Sequence, residues 1–305
     1  MSLIMFQPAV ENLTPIGNPG DLGIGLFVGG YYNVNLANVD RYTFGTGAVQ
    51  AQTALNTARR GPMGVSNQTD AGVFGGFVST YSNMGEKTKF ADGTWTTAAT
   101  LGQARSYGAA VSNKDVGVIG GGYTGALSNY VDKFTFASNI IVSAGALARA
   151  RQFLAAAGNP LLGVFAGGTT SSSQIFTDLW TYSSNSAAQT TSIGLARNGL
   201  AAASTGQQAL FGGGYGSSYT GYTDRFTFSS LTVIAGTVLS NALQYRAATG
   251  DASIGVFAGG AMATSPNYSS ATDIYAYATN TVTSGTALST IIRQHAAVGD
   301  SHGGL

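Results

Sequence analysis

The chain has 305 residues, of which 44% are hydrophobic and only 9% charged, where an average domain carries about a quarter charged residues. Lys plus Arg (14) and Asp plus Glu (13) nearly cancel to +1, which excludes the basic excess of a nucleic-acid binder. Cysteine is absent, so disulfides and thiolate metal sites are excluded.

Residues 1–20 match nothing later in the chain. Their end, with Pro15, Gly17, Asn18, Pro19 and Gly20, reads as a turn-rich arm. Their start carries Ile4 and Phe6 beside Leu3 and Met5, an apolar tail expected to dock on a neighbouring chain. Met1–Val10 has neither a basic region nor a long apolar core, so no signal peptide and no membrane insertion are expected.

From residue 21 onward the chain is organised by a glycine doublet. The second glycine stands at Gly30, Gly76, Gly122, Gly168, Gly214 and Gly260, each 46 residues after the last, and the first keeps the same register from Gly29 to Gly259. A period of this length marks a solenoid, a propeller or an array. The doublet closes an apolar run that reads as a strand buried on both faces, with Phe27, Val73, Ile119, Phe165, Phe211 and Phe257 at one fixed place in it. Two places before that residue stands glycine or alanine (Gly25, Ala71, Gly117, Gly163, Ala209, Gly255), which marks close backbone approach or a bulge.

A loop of roughly nine residues follows each doublet. An acid and an alternating aromatic pair come next, as in Asp40-Arg-Tyr42-Thr-Phe44, Asp132-Lys-Phe134-Thr-Phe136, Asp178-Leu-Trp180-Thr-Tyr182 and Asp224-Arg-Phe226-Thr-Phe228. Glu86 takes this place in the second unit, and Asp273 takes it in the sixth after a three-residue insertion. The alternation predicts a half-buried strand. A Thr/Ser/Val-rich strand follows, and then an Arg before a run of small residues, as in Arg105-Ser-Tyr-Gly-Ala-Ala-Val111 and Arg151-Gln-Phe-Leu-Ala-Ala-Ala157.

Four strands in each of six units are similar to the kelch repeat, over residues 21–300. The outer-strand Trp of that family has a counterpart only near Trp95; Val49, Ile141, Ala187 and Val233 stand at the other places. The resemblance implies an all-β six-bladed β-propeller spanning residues 21–305, with four antiparallel strands per blade. The first unit lacks an Arg-and-alanine strand, whereas a spare copy stands at Arg293–Asp300. The C-terminal strand is therefore expected in blade 1, with 295–299 innermost, where it closes the ring and covers a strand edge.

Three sets of residues are candidates for function. Arg59, Arg105, Arg151, Arg197 and Arg293, with Leu243 as the exception, recur beside one carboxylate per unit. They are expected either to pin strands by ion pairs or to face the channel mouth toward an acidic partner. Tyr31, Tyr32, Tyr81, Tyr123, Tyr215, Tyr219 and Tyr268, with Tyr130 and Tyr222, stand among Ser, Thr, Asn and Gly after the doublets. They suit contact with protein or glycan, or packing between blades. Tyr follows the doublet in units one, three and five only, a pseudo-threefold pattern that suits a symmetric neighbour.

Enzyme signals are poor. His295 and His302 are the only histidines, no metal-ligand triad accompanies them, and packing is expected for His295. A copper site like that of galactose oxidase needs a Cys-linked Tyr and is excluded by the absence of Cys. No cofactor is expected. The low-charge, Gly/Ser/Thr-rich composition resembles bacteriophage tail and virion surface proteins. A non-catalytic attachment propeller located in a virion is expected, its partners being subunits of a larger assembly or a host-surface glycan; a stand-alone glycan-binding module is the alternative, and a propeller enzyme the weaker one.

Overall fold

A computed structural model describes residues 23–263 and 267–301. The arm at 1–20, with Ile4 and Phe6, lies outside the described residues. The described chain forms six sheets of four antiparallel strands, one sheet per repeat, with a two-stranded hairpin, Tyr31–Tyr32 and Val34–Asn35, in the first loop. This is a six-bladed propeller. Among the described residues no helix is long and apolar enough to cross a membrane.

Each blade runs from an inner strand at the central channel to an outer strand at the rim. The inner strands are Met63–Ser66, Ala109–Ser112, Ala155–Gly158, Ala201–Ser204, Ala247–Gly250 and Ala296–Gly299. The last of these belongs to blade 1. It pairs with Ile24–Val28 in the register Gly25–Gly299, Leu26–Val298, Phe27–Ala297 and Val28–Ala296. The C-terminal repeat thus completes the blade that lacks its own inner strand.

The core is six cores, one in each junction between neighbouring blades. Side chains alternate across a strand, so one strand feeds two junctions. Leu26 and Val28 pack with Val73 and Trp95 of blade 2, whereas Phe27 packs with Val256 and Ala258 of blade 6. This explains why the second strand of each blade reads as continuous apolar sequence, with both its faces covered. The first residue of each aromatic pair is buried in a junction, and Tyr42–Phe44, Phe134–Phe136, Phe226–Phe228 and Tyr275–Tyr277 meet edge-on or tilted. The outer strand lies opposite: Val49 pairs with Tyr42, Ile141 with Phe134, Ala187 with Trp180 and Val233 with Phe226.

The small residues of the inner strands are set by the geometry of the ring. Six strands converge on one axis, and Gly64, Ala110, Ala156, Ala202, Ala248 and Ala297 line the channel that remains, a cavity of about 130 Å³. At the far end hydroxyls join neighbours: Ser66 Oγ donates to Gly299 O at 2.9 Å, and Ser204 Oγ donates to Gly158 O at 2.8 Å.

Deleting residues 293–305 is expected to leave Ile24–Val28 with a bare edge and one junction without its inner wall. The shortened chain should elute as aggregate on size exclusion and lose its cooperative melt. A soluble, equally stable truncation would show that the ring closes in another way.

Candidate functional site

The doublet and the repeated arginine meet where one blade passes to the next. The N–H of the first glycine bonds within its own blade, Gly75 to Met84 O at 2.8 Å. That of the second reaches the next blade, Gly76 to Arg105 O at 2.9 Å. The same bond recurs from Gly30 to Arg59, Gly122 to Arg151, Gly168 to Arg197, Gly214 to Leu243 and Gly260 to Ile292, between 2.7 and 3.0 Å. Both glycines have φ above +60°, and a Cβ on Gly75 would stand 2.5 Å from the Arg105 carbonyl oxygen. Only glycine lets the two backbones come so close.

The arginine side chain then ties the junction from the other side. Arg105 Nη1 lies 2.6 Å from Asp132 Oδ2 while its Nη2 donates to Ile119 O at 3.0 Å. Arg151–Asp178 (2.8 Å), Arg197–Asp224 (2.7 Å) and Arg59–Glu86 repeat the pair. All four guanidinia have 0% exposure. Burial lowers their pKa and the paired carboxylate opposes it; guanidinium keeps its proton in any case. These four arginines sit behind the loops and do not line the channel.

Two expectations for the arginines are corrected. Leu243 does not leave its blade without a guanidinium, because Arg246, three residues on, reaches Asp273 Oδ2 at 2.5 Å and Phe257 O at 2.6 Å. Arg293 does not belong to the series. The carbonyl in the arginine place is that of Ile292, and Arg293 stands one residue later, bridging to Tyr31 as Arg60 bridges to Phe77 and Ser106 to Tyr123. The three-residue insertion of the sixth unit hides this shift. Asp40, the acid of that junction, has no arginine and accepts the Ser289 N–H at 3.1 Å.

The residue after this bridging place forms a ring around the channel mouth. Gly61, Tyr107, Phe153, Gly199, Tyr245 and Gln294 all have φ between +55° and +62°. Each N–H donates to the carbonyl of the preceding member: Tyr107 to Gly61, Phe153 to Tyr107, Gly199 to Phe153, Tyr245 to Gly199, Gln294 to Tyr245 and Gly61 to Gln294, at 2.7–2.9 Å. The circle is closed, one bond per blade. Left-handed backbone at a bulky residue costs about 1 kcal/mol or more, and here the circle holds it. Phe153 lies 4.6 Å from Tyr107 and 4.9 Å from Tyr245, ring centre to ring centre. Gly61 makes room, since a Cβ there would stand 2.3 Å from the Tyr107 ring.

The loop tyrosines surround this mouth, and they are more covered than their polar neighbours suggest. Tyr32 is exposed at 40%, whereas Tyr31, Tyr81, Tyr123, Tyr215, Tyr219 and Tyr268 are half-buried against one another. Tyr268 meets both Tyr31 and Tyr32 edge-on, Phe77 meets Tyr81, and Tyr81 meets Tyr123. The contacts form an arc over blades 6, 1, 2 and 3, so the pseudo-threefold sequence pattern does not carry into packing. Tyr215 and Tyr219 make a separate pair in blade 5. Tyr130 and Tyr222 leave the arc: their rings lie under the buried Arg105 and Arg197. Arg60 completes the arc, with its guanidinium carbon 4.9 Å from the Tyr31 ring centre and 4.5 Å from that of Phe77.

Arg60, Phe77, Tyr107, Phe153, Tyr245 and Arg246 are members of this region that sequence reading passed over. Counting 46 residues from Arg60 through Ser106, Gln152, Asn198 and Gln244, and then 49 across the insertion, reaches Arg293 and would have exposed the bridging column. No protein-family model matches the chain, and no curated protein matches it.

Two outcomes follow from this geometry. Arg151→Ala leaves Asp178 buried without its partner, so unfolding in denaturant should show a loss of about 3–5 kcal/mol. A loss below about 1 kcal/mol would place the pair among weak surface bridges. His295 is buried beside the Phe27 ring, with the Ala258 backbone within reach of its imidazole. Burial, helped by Arg246, holds its pKa down to about 3, against about 6.5 when unfolded. Its contribution to stability is therefore full above about pH 6.5 and is lost as pH falls toward about 3. His295→Leu, the residue at the matching Leu154 and Leu200, should make melting less sensitive to pH between about 7 and 5. An unchanged acid slope would assign that sensitivity elsewhere.

Proposed function

We propose that the chain is a non-catalytic attachment propeller of the kelch-like kind, a subunit of a virion or phage tail that presents its loop face to the surface of a host cell. The observation that carries this reading is the aromatic arc. One face collects tyrosine rings from four blades around the channel mouth, held by edge contacts and stacked arginines. Rings ordered in advance lose little freedom on binding, and Tyr and Arg dominate the energetics of recognition surfaces.

Three features support a binding role over catalysis. The carboxylates Glu86, Asp132, Asp178, Asp224 and Asp273 are engaged by buried arginines. The imidazole of His295 is packed in a blade junction, away from any carboxylate pair. No group of three His, Cys, Asp or Glu side chains could hold a metal among the described residues. The virion setting is supported by composition, since few charges and many Gly, Ser and Thr residues resemble bacteriophage tail and virion surface proteins.

The double variant Tyr32→Ser, Tyr81→Ser should melt within about 1 kcal/mol of the wild type and abolish adsorption of particles carrying it. Unimpaired adsorption, or absence of the protein from purified particles, would overturn the assignment.

A further inference from the structure

Two cations in the arc have no counterpart at the other four places of the bridging column, which hold Ser106, Gln152, Asn198 and Gln244. Arg60 and Arg293 occupy neighbouring places in the bridging column, on either side of Tyr31, with guanidinium carbons 4.9 and 5.4 Å from its ring centre. Tyr268 covers Arg293 at 4.8 Å and Phe77 covers Arg60 at 4.5 Å. The result is a column, Tyr268–Arg293–Tyr31–Arg60–Phe77, in which planar cations alternate with rings.

Neither arginine makes an ion pair among the described residues. Arg60 donates its Nε–H to Tyr107 Oη at 3.0 Å, and Arg293 Nε is buried with no partner. The described acids that escape the blade junctions stand elsewhere. Asp70, Asp115, Asp251 and Asp300 stand in turns at the start of second strands, and Asp92 in the hairpin between the third and fourth strands of blade 2, all at the opposite end from the doublets. Both guanidinia are half-buried, and stacked arginines with open terminal N–H groups match a carboxylate in shape and charge.

We infer that Arg60 and Arg293 form a carboxylate-binding site at the channel mouth, and that its ligand is an acidic saccharide. This rests on the loop-face reading above and gives it a ligand class. The other four places of the column hold Ser106, Gln152, Asn198 and Gln244. An acidic peptide would be followed by further cations along its length, whereas one cationic sector of the column beside amides and hydroxyls suits carboxylates carried on a body of sugar hydroxyls. Among the described residues the exposed large apolar side chains of this sector are Tyr32 and Val34, so these residues offer a ring edge for a pyranose and no aliphatic pocket for a peptide anchor.

The test uses the full chain and calorimetric titration at low ionic strength with three probes: a glucuronic-acid oligosaccharide, its carboxyl-reduced glucose counterpart, and an oligoglutamate peptide. The acidic oligosaccharide should bind and the reduced one should not. Arg60→Gln and Arg293→Gln should each weaken binding roughly tenfold or more, the worth of a hydrogen bond to a charged group, and Arg149→Gln, a cation stacked on Phe176 apart from the arc, should leave it unchanged. If Arg60→Gln lowers the melting temperature, Arg60→Lys decides: it keeps the charge, loses the fork, and should still bind more weakly than wild type. Equal binding of the acidic and reduced sugars, or Arg60 and Arg293 variants that bind as wild type does, would overturn the site. Preference for oligoglutamate would overturn the saccharide while leaving the loop face as an attachment surface, which the adsorption of the tyrosine variant tests separately.

Discussion

The bond from the second glycine of each doublet to the carbonyl of the next blade is the constraint on which the rest depends. It fixes the distance between neighbouring blades at their loop ends. Because it is made by backbone, it recurs whatever the side chain on the carbonyl side, Arg, Leu or Ile alike. Once the junction is that tight, the groups behind it leave water. The acid of the third strand then needs a cation, and arginine supplies one that also satisfies the carbonyl of the second strand, as Arg151 does for Phe165. A buried pair of this kind adds little net stability over an apolar junction, but breaking it is expensive. It therefore favours one packing of blade on blade more than it strengthens the fold.

The same constraint shapes the face proposed to act. Chain leaving the arginine place has two residues in which to turn into the inner strand. The first bridges back to the residue after the doublet, and the second enters the circle of hydrogen bonds around the mouth. Side chains at these two columns are aimed by backbone that has no freedom left. Where they are Arg60, Arg293, Tyr107 and Tyr245, they become an ordered cationic and aromatic surface. Where they are Ser106, Asn198 or Gly199, they fill a turn. Six equivalent frames thus carry six different pairs of residues, and the asymmetry of the face comes from the occupants alone. The junction of Asp40 with Ile292, closed by the C-terminal strand, is the one place among the described residues where the acid of the repeat has no guanidinium.

Much of the architecture was legible because it is periodic. The doublets, the alternating aromatics and the spare C-terminal strand each reflect a steric demand that recurs in every blade, so the residue type recurs too. Legibility failed where one copy departed. The three-residue insertion moved the count, so that Arg293 resembled the junction arginines while Arg246 escaped notice. The left-handed backbone of Tyr107, Phe153 and Tyr245 had no local signal either, since residues that favour that conformation are glycine and asparagine.

By itself the sequence determined the number of blades, the strands within them and the way the ring closes, because those follow from which residues can be buried, paired or brought into close backbone contact at fixed spacing. Only the tertiary structure decided which arginines lie buried in junctions and which stand stacked at the mouth, and which tyrosines touch. Those outcomes depend on side chains from different blades converging on one axis. Their separation in the chain carries no trace of that distance, and a shift of one residue changes the neighbours entirely.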